Sequence, residues 1–279
     1  MSFSSYRLNN RQDSTQDCDR EAGRLQTGSV QIPDSRRVWI RDRVRSAGST
    51  VLELLFPGTC LLCGQSLLLR SRPFYPVCES CLKTLQPIGD PRCRVCGCSL
   101  VSERNLCTRC RKRNYHFTTH RSLFEYRGSV RELLYQLKFQ GRKRVALVLA
   151  ALLAETLKES YQGLPVVPVP ARRGRIRQRG WDHMQLISRY ISKGHGVRIY
   201  RCLDRKGGVP QKALNFEQRL RNIASSEVSF VRTAAPSPSV SEVVLIDDIF
   251  TTGATVDECS RILRMGGMQE VHVLTVAQD

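Results

Sequence analysis

From Val243 to Thr255 the chain reads VVLIDDIFTTGAT, and these residue types in this order describe an anion site beside a diol site. Val243 to Ile246 is a short apolar run with strand character, followed by two carboxylates, Asp247 and Asp248. Thr251, Thr252, Gly253, Ala254 and Thr255 then make a turn of small and hydroxyl residues, and a helical pattern continues through Cys259 and Leu263. A strand that empties into such a loop at a helix start converges backbone N–H groups, adds hydroxyl donors and places the positive end of the helix dipole at a phosphate. The two aspartates cannot serve that phosphate, because their charge repels it. They suit sugar hydroxyls or, through them, a divalent ion. A phosphate beside a diol is the description of a ribose 5-phosphate. An ordinary βα turn whose acid merely caps the helix would need neither adjacent carboxylates nor the Thr-Thr-Gly turn.

A second constellation is made of sulfur. Most of the 12 cysteines fall in C-x-x-C pairs: Cys60/Cys63, Cys78/Cys81, Cys93/Cys96 and Cys107/Cys110. Two thiolates separated by two residues take adjacent corners of a zinc tetrahedron, and a second such knuckle completes it. A glycine follows Cys63 and Cys96, where a tight knuckle favours a residue without Cβ. The simplest assignment is sequential, Cys60, Cys63, Cys78 and Cys81 for one Zn2+ and Cys93, Cys96, Cys107 and Cys110 for the other. The spacing also admits an interleaved pairing, and Cys98 is left over inside the second site as a replacement for Cys96. All-sulfur sites with every position filled are structural rather than catalytic, and a module this small needs its metal to fold. Cys18, Cys202 and Cys259 stand alone and read as tail or core residues.

The acidic pair followed by TTGAT resembles the phosphoribosyl-pyrophosphate (PRPP) motif of type I phosphoribosyltransferases, most closely that of the ComF family. The cysteine knuckles agree, since ComF-type proteins carry an N-terminal zinc ribbon introduced by an apolar segment ending in proline, as in Val51 to Pro57 here. The resemblance implies that Asp247 and Asp248 hold the ribose 2′- and 3′-hydroxyls of Mg2+-bound PRPP while Thr251, Thr252, Gly253, Ala254 and Thr255 cradle its 5′-phosphate. The segment at Lys138, followed by Phe139, Gln140 and Gly141, resembles a family segment that brings a lysine to the pyrophosphate; a solvated lysine at a helix C-terminus is the plainer reading. Val167 to Pro170 with the arginines after it resembles the family's pyrophosphate loop, which makes Arg179 the main cation and Arg172 and Arg175 supporting ones. Here the family's usual Asn-Gln is replaced by Asp182-His183; the histidine can still donate a hydrogen bond, whereas the aspartate brings an anion towards a phosphate site. Arg205, Gln211, Arg219 and Asn222 resemble a family stretch that forms a hood or flap.

The acceptor is not specified. Enzymes for 6-oxopurines place an acidic base three residues after the second acid of the motif, a position held here by Thr251, and no N-terminal cysteine is poised for amidotransferase chemistry. The expected function is therefore PRPP-dependent phosphoribosyl transfer to an unknown acceptor, in a setting of natural transformation or use of imported DNA. The alternative is a non-catalytic adaptor that binds nucleic acid, with single-stranded DNA or other competence proteins as partners, or a PRPP-sensing regulator.

A formal net charge of +19 over 279 residues draws such a chain to polyanions or phosphate-rich ligands. Much of it is local, in the run from Arg172 to Arg179 and in Arg36, Arg37, Arg41, Arg43 and Arg45. No stretch is long and apolar enough to span a membrane, and the N-terminus lacks a signal-peptide core. The expected location is the cytoplasm, where disulfides are disfavoured. The expected organisation is a disordered basic tail over 1–45, a double zinc ribbon over 46–116, and an α/β type I phosphoribosyltransferase domain over 117–279 with a Rossmann-like parallel sheet. Strands are expected at His120 to Tyr126, Pro165 to Pro170, Val197 to Tyr200, Val243 to Ile246 and Val271 to Val276. Helices are expected at Ser129 to Phe139, Arg144 to Leu157 and Met184 to Ile191, and a surface loop over Val231 to Ser241.

Overall fold

The computed structural model describes residues 58–67, 76–100, 105–108, 110–205, 230–232 and 240–279. The tail over 1–45, the segment Val51 to Pro57, and Gln211, Arg219 and Asn222 of the expected hood lie outside the described residues. The elements are α1 (Glu79–Lys83), β1 (Thr119–Glu125), α2 (Gly128–Phe139), α3 (Val145–Ser160), β2 (Val166–Pro168), α4 (Arg173–Arg179), α5 (His183–His195), β3 (Leu203–Arg205), β4 (Phe230–Arg232), β5 (Glu242–Phe250), α6 (Ala254–Met265) and β6 (Glu270–Gln278).

Four strands form one sheet in the order β1-β6-β5-β2, and every pairing in it is parallel. Such a sheet must be covered on both faces, and β5 shows this directly, because Val243, Val244, Leu245 and Ile246 are all fully buried. Their side chains alternate between faces with period two. Val244 and Ile246 join one core with Leu274 of β6, Leu149 and Leu153 of α3, and Met184 and Ile187 of α5. Val243 and Leu245 join the other with Val271 and Val273 of β6 and with Val256, Cys259 and Leu263 of α6. Helix α3 buries Val145, Ala146, Val148, Leu149, Ala150, Ala151, Leu152, Leu153 and Ala154 in succession, as a helix packed on more than one side does. A short antiparallel pair, β3 with β4, stands apart from the main sheet.

The cysteine-rich segments do not stand off from these cores. Cys60, Leu67, Val77, Cys78 and Leu85 belong to the first, where Gln136 Nε2 of α2 donates to the Leu61 carbonyl at 2.7 Å. Cys93, Cys96 and Cys110 belong to the second. The joint there is His120 on β1, whose N–H donates to the Val95 carbonyl at 2.9 Å. Its ring lies 2.7 Å from the Cys96 carbonyl through Nδ1 and 2.8 Å from Thr275 Oγ1 through Nε2. Burial pulls the His120 pKa down to about 4, so the ring works there as a neutral hydrogen-bonding spacer.

Four local expectations need correction. The expected strand Val243 to Ile246 continues to Phe250, because parallel pairing with β6 runs on to Phe250 opposite Gln278; the two aspartates, expected between strand and turn, are therefore strand residues. The arginine run is a seven-residue helix, α4, closed by left-handed Gly180 with φ 77°. Val197 to Tyr200 makes only a bridge, Val166 with Ile199, and β4, from Phe230 to Arg232, takes the first two residues of the expected loop.

Candidate functional site

The carboxyl ends of β2 and β5 open into a cleft of about 320 Å³, at the edge of a parallel sheet where ligands of such sheets collect. Lys138 from α2, Arg172, Arg175 and Arg179 from the α4 segment, and Arg205 from β3 line it together with Asp247, Asp248 and Thr255. Residues spread over 118 positions of sequence thus meet at one place because α2, α4, β2, β3 and β5 all end near it. Among the described residues five cations face two carboxylates, a surplus of positive charge suited to a ligand carrying several negative ones.

At its floor the acid pair is asymmetric. Asp248 is buried, and its Oδ2 takes a 2.7 Å ion pair from Lys138 Nζ together with a short hydrogen bond from His183 Nε2. Arg179 Nη1 lies 3.4 Å from Nδ1 of the same ring. A guanidinium can only donate, so in the neutral ring Nδ1 accepts and Nε2 carries the proton offered to Asp248. Although burial opposes its charge, Lys138 and His183 hold the Asp248 carboxyl far below the usual carboxylate range. Asp247 goes the other way. Burial, then the charge of Asp248, pushes it up to about 7, and its Oδ1 accepts the Asp248 N–H at 2.8 Å. Two carboxylates pushed apart in this way arise where charge is concentrated for binding or catalysis.

The expected lysine thus lies in the cleft, but its observed partner is Asp248. Arg179 is crowded: burial and then Arg175 lower its pKa, and its guanidinium lies 5.4 Å from the centre of the Phe139 ring. After β5 the chain turns through Thr251, Thr252 and Gly253, and α6 starts at Ala254. Gly253 has φ 78°, and a Cβ there would come within 2.7 Å of the Phe250 ring, so this turn requires glycine. Thr251 and Thr252 are exposed, and Ala254 N–H reaches Thr252 Oγ1 at 3.4 Å. Of the five residues expected around a phosphate, Thr255 lines the cleft.

The Asp182-His183 pair resolves differently from its expectation. Asp182 caps α5, accepting the N–H groups of Met184 at 2.8 Å and Gln185 at 3.2 Å, while its other oxygen takes the Ala171 N–H at 3.3 Å. Its charge is satisfied by orphan helix-end donors rather than turned on the cleft. His183 is the residue whose function the sequence did not show. The only local signal was its departure from the family's usual residue, and its partner Asp248 lies 65 positions away.

The thiols gather into two groups of four in which all sulfur atoms lie within 4.8 Å of one another: Cys60, Cys63, Cys78 and Cys81, and Cys93, Cys96, Cys98 and Cys107. The pairing is sequential and not interleaved. Zn–S bonds of about 2.3 Å at tetrahedral angles require S···S separations of about 3.8 Å. Cys63 to Cys78 spans 3.7 Å and Cys96 to Cys107 spans 3.6 Å. The donor sets therefore fit structural zinc. In the second group Cys98 stands where Cys110 was expected, and Cys110 lies against it, in contact with Cys96 and Cys107.

Comparison with known proteins covers up to 79% of the chain. The family described as double zinc ribbon domain matches residues 51–111. Competence protein ComFC of Streptococcus pneumoniae is 25% identical over 230 residues, 78% of this chain and 99% of that protein. Competence protein F of Haemophilus influenzae is 26% identical over 72% of this chain and 90% of its own length. DNA utilization protein YhgH of Escherichia coli is 26% identical over 79% of this chain and 96% of its own length. With two four-cysteine groups packed onto a parallel α/β sheet, the chain is similar over most of its length to these competence and DNA-utilization proteins.

Proposed function

We propose that the cleft binds Mg2+–PRPP and that the protein transfers its phosphoribosyl group to an acceptor in a process that uses DNA. The observation that carries this reading is the joining, at one sheet edge, of an acid pair and five cations. Asp248 is already engaged, so it holds Lys138 at the floor, and Asp247 is the carboxylate left for ribose hydroxyls or the cation beside them. Arg172, Arg175 and Arg179 stand where pyrophosphate would collect charge as its bond to C1′ breaks and the acceptor's bond to C1′ forms, the acceptor losing its proton. Cations fixed before the reaction stabilise that developing charge without having to reorganise. Mg2+, when bound, would share the neutralisation of pyrophosphate. The names of the relatives, competence proteins and DNA utilization proteins, support the DNA context. Calorimetric titration of Mg2+–PRPP into zinc-replete protein should give saturable binding, lost in the Asp247→Ala/Asp248→Ala double variant. No binding by the unsubstituted protein would sink the reading.

A second reading, nucleic-acid binding without turnover, has its own observation. Phe139 is 59% exposed and carries Arg179 over its ring, and Lys143 lies 5.5 Å from the centre of the Trp181 ring. Aromatic faces interleaved with cations are what single-stranded nucleic acid stacks on. An adaptor of this kind binds single-stranded DNA with a steep salt dependence and is unaffected by the double aspartate substitution.

A further inference from the structure

The two ribbons are copies of one another, and the copying exposes a thiol that the fold does not need. In the first ribbon Thr59 bridges Ser66, Cys60 N–H donates to the Gln65 carbonyl, and Gly64 N–H donates to the Cys60 carbonyl. In the second, Arg92 bridges Ser99, Cys93 N–H donates to the Cys98 carbonyl, and Gly97 N–H donates to the Cys93 carbonyl. The third cysteine repeats as well: Cys78 N–H reaches Cys60 Sγ at 3.3 Å, and Cys107 N–H reaches Cys93 Sγ at 3.4 Å. In this correspondence Cys110 is the counterpart of Cys81, a member of the first sulfur group. Cys98 is the counterpart of Gln65, which is exposed and is no ligand.

Proximity gives a different answer from the repeat. The sulfur that closes the second group is that of the half-buried Cys98, while the buried Cys110 thiol touches Cys96 and Cys107. Cys96 is in contact with both. Five thiols therefore gather at a site where Zn2+ would accept four. Zn2+ has a filled d shell and no preference among thiolates beyond tetrahedral placement, so either sulfur completes the same tetrahedron.

We propose that the second zinc centre has an interchangeable fourth ligand, Cys98 or Cys110, with Cys93, Cys96 and Cys107 fixed. The first centre, with Gln65 at the equivalent position, has no such reserve. This assignment is independent of what the cleft binds.

The test is metal content of the purified full-length protein, by plasma mass spectrometry, for Cys98→Ser, Cys110→Ser, the double variant and Cys93→Ser. Both single variants should keep the two zinc ions per chain that two clusters imply, whereas Cys93→Ser and the double variant should fall to one. Loss of a zinc ion from either single variant would overturn the proposal, because the substituted thiol would then be an obligate ligand; retention of both by the double variant would overturn it equally. Cobalt loading decides the matter if the double variant does not fold. Both single variants should retain undiminished thiolate-to-cobalt charge-transfer absorption, and a drop by a quarter or more of the second site's share in either one contradicts an interchangeable ligand.

Discussion

Asp247 and Asp248 are neighbours in sequence with opposite electrostatics, and each supplies its own prediction. Lys138 and His183 hold the Asp248 carboxyl ionised, so its stabilising contribution is present above the ordinary carboxylate range and fades as pH falls through it. Lys138→Met leaves a buried carboxylate with one partner fewer and should cost about 3 kcal/mol at neutral pH. The deficit, read by urea unfolding, should shrink below about pH 4, where the carboxylate of the unfolded chain is protonated. Asp247 has the reverse sign. Its carboxyl is pushed up to about 7 by burial and by Asp248, so ionising it works against the fold as pH rises from the ordinary carboxylate range through neutrality. Asp247→Asn should therefore stabilise the free protein at pH 8 and leave it unchanged near pH 4, while weakening Mg2+–PRPP binding. A gain of stability paired with a loss of binding marks a group kept for function. Asp182 has a third role, as the α5 cap. Asp182→Ala should cost about 1 kcal/mol or more, and Asp182→Asn should recover only part of it, because Asn keeps the cap oxygen but turns an NH2 donor on the Ala171 N–H, both read by thermal unfolding.

At the scale of elements, the second ribbon is set against the sheet by a close backbone approach. Gly97 has φ 64°, and a Cβ there would meet the His120 carbonyl oxygen at 2.7 Å. Its counterpart Gly64 has φ 73° with open space around the Cβ position. Gly64→Ala should cost about 1 kcal/mol, the left-handed backbone alone. Gly97→Ala should cost about 2–3 kcal/mol, because the ribbon must also back away from β1; chemical denaturation of the two variants separates the effects. The same contact links metal to cleft. The ring of His120, which meets the Cys96 carbonyl, stacks on Phe250 with centroids 4.0 Å apart, and Phe250 ends the strand that carries the acid pair.

Across the whole molecule the two sulfur groups lie in different cores, one on each face of the sheet. Metal removal should therefore loosen both faces together. A chelator should lower the melting temperature of the full chain in a single calorimetric transition, and two separated transitions would mean that the ribbons fold apart from the sheet. The sequence by itself determined the local chemistry: C-x-x-C knuckles, an acid pair ahead of a Thr-Gly turn, and apolar runs with alternating polar segments that read as a parallel α/β sheet. These are legible because each depends on residues within a few positions of one another. It also placed β5 and α6 correctly around Asp247 and Asp248, but it ended the strand too early, since pairing with β6, and not local propensity, keeps residues 247–250 extended. It could not assign His183 to Asp248, convert Asp182 from an anion near a phosphate into a helix cap, or bring the Cys98 sulfur into the second group. Those were decided by tertiary structure alone, because burial and hydrogen bonding act between groups that are distant in the chain, and only packing fixes which donor meets which acceptor.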